Sequence, residues 1–293
     1  MRPRGTGNSW MRIRLYLLPT VLLAAFFAAS CSSFYSSDNH ADEVRPENSA
    51  PAGVLPAERL PFGNPSSAKA NPSDPDNYLV VKSTFILSYN DRRGTANWVA
   101  WQTTKADLGE RLARGDFQPD ASLPSNFRRI TPNDYSGSGY DRGHLVPSAD
   151  RFADGAVNAE TFQMSNIVPQ ARSLNQFPWE KLESYSRSLV RRGFTLFTYA
   201  GVYGDLGTSR NKVVIPARCW KVIVVLPPGK TAADIGPETR IIAVDMPNVD
   251  SLRRRSWREF RTSVRSIEQA TGYDLLSTLS AALQEKLETS VDR

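Results

Sequence analysis

Residues 78–89 (YLVVKSTFILSY) and 96–103 (ANWVAWQT) are dense in β-branched and aromatic residues. Between them lies Asn90–Gly94, a run of turn-forming residues. The pattern predicts two strands, Tyr78–Tyr89 and Ala96–Thr103, joined by that turn. Further strands are predicted at Thr195–Tyr203, at Cys219–Leu226 (CWKVIVVL) and at Arg240–Val244. Pro178–Arg192 reads as a helix, because Pro178 suits a first turn and Gly193 a C-terminal cap. Trp257, Phe260, Val264 and Ile267 recur at helical spacing, with Arg258, Arg261 and Arg265 on the neighbouring face. The apolar stripe is read as core and the arginine stripe as solvated. Asp274–Leu287 reads as a last helix. There is no repeat and no regular βαβ alternation, so the fold class is α+β, a mostly antiparallel sheet with flanking helices.

Composition narrows the chemistry. The chain has 293 residues, 40% hydrophobic and 23% charged, an ordinary globular balance. Its two cysteines are Cys31 and Cys219, and its two histidines are His40 and His144. That excludes zinc fingers, three-histidine zinc sites, iron–sulfur clusters and a disulfide framework. Cys219, beside Trp220 in an apolar run, is read as a buried core thiol.

The net charge of +6 is unevenly spread. Residues 1–30 carry Arg2, Arg4, Arg12 and Arg14 and no acid. Residues 31–76 hold seven acids and three bases, and residues 77–293 hold 29 bases and 23 acids. A basic domain suits a polyanion. Residues 11–14 followed by the apolar run Leu15–Ala29 make a secretory signal, too short for a membrane span. Ala28-Ala29-Ser30 before Cys31 resembles a lipoprotein processing site, with Ala28 where leucine is usual. The expectation is a signal peptide over 1–30, lipidation of Cys31, and export to the periplasm or exterior on a lipid anchor. Ordinary cleavage would instead release a secreted protein. Residues 31–76 are acidic and carry seven prolines, so they read as an extended linker that removes His40 from any site. Residues 77–293 are left as the catalytic domain.

His144 sits in Tyr140-Asp141-Arg142-Gly143-His144. Asn166 falls within Met164–Gln170, and Asn175 stands just before the predicted helix. Glu183 and Arg187 lie one turn apart, on the face that Trp179 begins. A lone histidine is weak evidence, but this set is a kit for phosphodiester hydrolysis. A neutral imidazole can activate water. A pentacoordinate phosphate and a departing 3′ oxygen need positive charge, which arginines and a hydrated Mg²⁺ supply. Mg²⁺ keeps most of its waters, so a single Asn oxygen with supporting acids is sufficient.

These segments resemble the sugar-non-specific DNA/RNA endonucleases that carry a DRGH motif and a ββα-metal site. NYLVVKSTFILSYN (77–90), GTANWVAWQ (94–102), GSGYDRGHLVPSADR (137–151), MSNIVPQ (164–170), LNQFPWEKLE (174–183), IPARCWKVIVVL (215–226) and TGYDLLS (271–277) follow the family pattern in order. The resemblance spans about Asn64 to Val291 and is strongest to the cyanobacterial-type secreted members. It implies a Mg²⁺-dependent endonuclease, with Mn²⁺ able to substitute, that cuts single- and double-stranded DNA and RNA to 5′-phosphate ends. It implies His144 as general base and Asn175 as the one direct metal ligand. Glu183 would hold a water of the metal shell, Arg142 and Arg187 would bind phosphate, and Asp141 and Asn166 would support the shell. The motif itself would comprise Asp141–Val146, Gln163–Val168 and Pro178–Arg192.

One departure stands out. The family's arginine before an aromatic-x-x-Asp element, here Phe117–Asp120, falls on Ala113, and Arg114 is the nearest substitute. Two other readings use the same residues: a nucleic-acid-binding lipoprotein without catalysis, and a phosphodiesterase for other substrates.

Overall fold

The structure, a computed structural model, describes residues 59–293. The expected signal segment over 1–30, Cys31 and His40 lie outside the described residues. In chain order the strands are β1 (Tyr78–Val81), β2 (Phe85–Asn90), β3 (Thr95–Thr103), β4 (Asp141–His144), β5 (Ile167–Gln170), β6 (Thr195–Tyr203), β7 (Thr208–Ser209), β8 (Val213–Val214), β9 (Arg218–Leu226), β10 (Arg240–Pro247) and β11 (Arg261–Thr262). The helices are α1 (Gly155–Glu160), α2 (Arg172–Leu174), α3 (Glu180–Arg191), α4 (Val264–Thr271) and α5 (Ala281–Glu288). Seven strands form one antiparallel sheet in the order β1-β2-β3-β6-β9-β10-β11, while β4 pairs with β5 and β7 with β8. The fold class is therefore α+β around an antiparallel sheet.

The sheet is buried on both faces, which explains why CWKVIVVL shows no polar alternation. Ile223 and Val225 face a core layer with Val99, Trp101, Trp179 and Leu182. Val222 and Val224 face the opposite layer with Trp98, Tyr199, Val264 and Ile267. The first layer seats α3 and the β4–β5 strand pair. The second is closed by α4 and by residues that precede β1.

Those preceding residues move the domain boundary drawn at 77. Leu60, Phe62 and Ala68 are buried in the second layer. Tyr199 Oη donates to Gly63 O, Trp98 Nε1 donates to Ser66 Oγ, and Leu79 N donates to Lys69 O. Prolines do keep the segment free of helix and strand, yet here it folds through successive turns against the sheet as part of the domain.

Other elements also differ from expectation. Tyr78–Tyr89 is a hairpin and not one strand, with Val81 opposite Ile86. Its turn is fixed from outside: Lys82, buried, donates from Nζ to Asp120 Oδ1 at 2.7 Å. The stripe Trp257–Ile267 is not one helix. Trp257 and Phe260 occupy a 3₁₀ turn against the first layer. The chain then passes through β11, and Val264 and Ile267 pack from α4 into the second layer. Arg265 of the expected solvated stripe is held by Glu285 and Glu288. The last helix is shorter than expected, with Leu275–Thr278 in a turn before α5. The second motif strand begins at Ile167, after a 3₁₀ turn over Met164–Asn166. Among the described residues, no helix is long and apolar enough to cross a membrane.

Candidate active site

β4 carries Asp141, Arg142, Gly143 and His144 in succession, antiparallel to β5. Alternation sends Asp141 and Gly143 to one face and Arg142 and His144 to the other. Gly143 allows the pairing: a Cβ there would stand 2.0 Å from Gln170 Oε1, and Gln170 is fully buried. Asn166 secures the chain just past His144. Its Oδ1 accepts from Val146 N at 2.9 Å, and its Nδ2 donates to Val146 O and Thr161 O.

On one face, Asp141 Oδ2 accepts from Asn175 Nδ2 at 3.0 Å and from Gln176 Nε2 at 2.8 Å. Asn175 does not precede the helix, as the sequence suggested. It opens a five-residue π-turn, Asn175–Trp179, that joins α2 to α3 in one helical run. Pro178 lies inside that turn and not at a helix start. A π-turn shifts the side-chain register locally and is common at functional sites. With Nδ2 committed to Asp141, Oδ1 forms no hydrogen bond within the described residues and is free to act as a ligand. No cluster of three or more His, Cys, Asp or Glu suited to a metal exists among the described residues. One amide oxygen beside a carboxylate fits a largely hydrated Mg²⁺ better than a metal stripped of water.

On the other face, the His144 ring lies 5.3 Å from Phe117 and 4.9 Å, edge-on, from Phe162. It forms no hydrogen bond; Nε2 is buried without a partner, so Nδ1 is the nitrogen open to a ligand. Burial, aided by the nearby charge of Arg114, draws its pKa down to about 3. The imidazole is therefore neutral at neutral pH. The Arg114 guanidinium lies 5.4 Å from the Phe117 ring centre and that of Arg142 lies 5.6 Å away. Arg142 also donates twice to Pro132 O. The structure thus brings Arg114 beside His144, while Ala113 is exposed.

The Arg114 segment is fixed downstream. Gln118 exchanges backbone hydrogen bonds with Phe162 and Met164. Asp120 accepts from Lys82 Nζ and from Ser165 Oγ. Burial alone would raise the Asp120 carboxyl, but Lys82 and these hydrogen bonds hold it below its ordinary value.

Glu183 and Arg187 belong to a deeper network. Glu183 Oε1 accepts from Lys221 Nζ at 3.1 Å. Arg187 Nη1 donates to Asp150 Oδ1 at 3.1 Å, and Asp150 Oδ2 accepts from Trp101 Nε1. These groups line a cavity of about 10 Å³ with Pro147, room for about one water. Burial pushes the Glu183 carboxyl up, opposed by Lys221 and Arg187. Glu183 Oε2 is left without a hydrogen bond, whereas Arg187 is buried and held by Asp150. Arg187 is thus not presented as an open phosphate ligand.

Sequence reasoning missed Lys221, Asp150 and the ring contacts of Phe117. Lys221 did leave a signal, as the one charge inside CWKVIVVL. Cys219 is a buried free thiol, pushed up to about 12 by burial.

A family profile described as DNA/RNA non-specific endonuclease matches residues 63–282. A protein named Nuclease from Nostoc sp. is 46% identical over 235 residues, covering 80% of this chain and 85% of that protein. Mitochondrial Endonuclease G from Bos taurus is 32% identical over 246 residues, covering 76% of this chain and 74% of that protein. A chain in the crystal structure of an EndoG/EndoGI complex superposes with a TM-score of 0.64 at 23% identity, over 80% of this chain and 94% of that one, a likeness of fold.

Proposed function

This chain belongs to the DNA/RNA non-specific endonuclease family, and on that premise we propose that it hydrolyses DNA and RNA with Mg²⁺ to give 5′-phosphate ends. The observation that carries the metal site is the Asn175 amide, oriented by Asp141 so that Oδ1 stays free. The residues fit the ion: Asn175 would hold it, with Asp141 and Gln176 fixing the ligand's orientation. When bound, hydrated Mg²⁺ supplies positive charge to the phosphate and a proton source for the departing 3′ oxygen.

The rest falls to the chain itself. His144 takes the proton of the attacking water at Nδ1, the nitrogen left open by burial of Nε2. The phosphate's own negative charge opposes Arg114 and makes the imidazole a stronger base when substrate is bound. Arg114 and Arg142, on the His144 side of β4, bind phosphate oxygens through their remaining N–H groups. Glu183, with no hydrogen bond at Oε2, would hold a water of the ion's shell. Asn166 and Arg187 act as positioning residues. Export on a lipid anchor at Cys31 completes the proposal, supported by the sequence of residues 11–31.

Asn175→Ala tests the metal assignment. The expected result is at least a tenfold rise in the Mg²⁺ concentration giving half-maximal cleavage, with Asp141→Asn shifting it less. An unchanged Mg²⁺ requirement in Asn175→Ala would remove Asn175 from the site.

A further inference from the structure

Beyond β10 the chain crosses the start of the active-site helical run, and it is firmly fastened there. Asn248, buried, accepts from Ala171 N at 2.7 Å and donates to Pro169 O and Pro216 O. Asp250 Oδ1 accepts from Ser173 N at 2.8 Å. Ser173 Oγ donates to Val249 O and accepts from Leu252 N, and Leu252 is buried in the first layer. This fastened segment then presents three exposed arginines, Arg253, Arg254 and Arg255.

Their charges are not equally free. Arg255 is paired with Glu259 at 2.5 Å. Arg253 and Arg254 have no carboxylate partner among the described residues. The Arg253 guanidinium lies 5.4 Å from the centre of the Phe177 ring, and Phe177 belongs to the π-turn that Asn175 opens. Arg172, exposed and also without a carboxylate partner, stands three residues before Asn175 on the same side of the run. Arg265 of α4, by contrast, is neutralised by Glu268, Glu285 and Glu288.

We propose that Arg172, Arg253 and Arg254 form a subsite for the backbone of polymeric nucleic acid, engaging phosphates that flank the scissile one. The inference rests on the reading of this chain as a nuclease. A helix is about 10–12 Å across, and phosphates recur every ~3.4 Å of axis along one strand. Cations on two sides of the Asn175 turn therefore span several nucleotides of one substrate. Arginines on a fastened loop and a helix start lose less freedom on binding than arginines on a mobile tail. Contacts of this kind hold the polymer in register and carry no base information.

The test compares Arg253→Ala/Arg254→Ala with Arg191→Ala/Arg192→Ala. The second pair removes the same charge at the far end of α3, about 24 Å from Asn175 at ~1.5 Å per residue. Binding of a 30-bp duplex in EDTA is measured across a salt series. Cleavage is measured on long duplex and on a nitrophenyl phosphodiester of thymidine. For Arg253→Ala/Arg254→Ala, the slope of log Kd against log salt is expected to shrink by about 2, from ~0.9 per phosphate contact. KM for duplex should rise about tenfold, with kcat/KM for the small ester unchanged. The control pair should leave the slope within about 0.5 of wild type. An unchanged slope, an equal loss in the control, or equal losses on both substrates would overturn the subsite. Duplex binding with this slope change, but without any cleavage by the parent protein, would support the subsite and contradict the nuclease reading. A parent protein that does not bind duplex contradicts both.

Discussion

Lys221→Met removes the cation beneath the site without changing the shape of its stem much. Lys221 Nζ, 2% exposed, stands 3.1 Å from Glu183 Oε1 and 4.2 Å from the centre of the Trp179 ring. Attraction between two such charges is worth about 5 kcal/mol at an effective dielectric of 20, much of it offset by desolvation. Breaking a buried pair leaves the partner charge stranded, at a cost of about 3–5 kcal/mol. In a domain of this size that lowers Tm by roughly 6–20 °C. Glu183 already has its carboxyl raised by burial, and loss of Lys221 raises it further. The sign follows: above the ordinary carboxyl range the folded protein binds more protons than the unfolded one. Stability of the variant relative to wild type should therefore fall as pH rises past the point where wild-type Glu183 ionises, because Glu183 of the variant still holds its proton there. Urea titration followed by tryptophan fluorescence, at several pH values, gives the numbers. Glu183→Gln and the double variant complete a cycle with an expected coupling of at least about 2 kcal/mol. A coupling under about 0.5 kcal/mol, or a deficit independent of pH, would refute the assignment of Lys221 as the partner that opposes the upward shift of Glu183.

Three further outcomes are expected. Gly143→Ala forces a Cβ to within 2.0 Å of Gln170 Oε1, so stability should drop by about 1–3 kcal/mol, with most of it recovered in Gly143→Ala/Gln170→Ala; a wild-type Tm in the single variant would show that the strand pair yields freely. His144 is held neutral, with its pKa near 3 against about 6.5 unfolded, so stability should rise with pH between those values by at most about 1.4 kcal/mol per unit. His144→Phe should flatten that part of the denaturation profile, and an identical profile would contradict the burial. Phe117→Ala should lower kcat/KM about tenfold by releasing both arginines from the ring, at about 0.5–1 kcal/mol each, while Phe117→Tyr stays near wild type; equal losses in both would contradict a packing role.

The sheet and the site were legible to different depths. The central strands were read closely because apolar, β-branched runs such as Thr195–Tyr203 stay strands whatever packs on them. The hairpin at Lys82 was not legible, since its turn is Lys-Ser-Thr and is held by a partner 38 residues away. The Trp257–Ile267 stripe misled because helical spacing records burial, not which side of the sheet does the burying. Prolines before β1 suggest a linker, although a chain of successive turns can also bury its apolar residues against a sheet, as Leu60 and Phe62 do. At the site, motif residues could be named but their partners could not. Nothing local in the sequence shows that Arg187 faces Asp150, or that one phenylalanine ring meets His144, Arg114 and Arg142.

Whether this chain is a metal-dependent nuclease is decided by cleavage of supercoiled plasmid and of structured RNA, each in Mg²⁺ and in EDTA, by the chain from residue 59 beside His144→Ala. Degradation of both substrates in Mg²⁺ alone is expected, with ends that carry 5′-phosphate and a loss of at least about 100-fold in His144→Ala, the scale of a missing general base. Cleavage that survives EDTA, or that His144→Ala retains in full, would contradict a metal-dependent nuclease with His144 as its base.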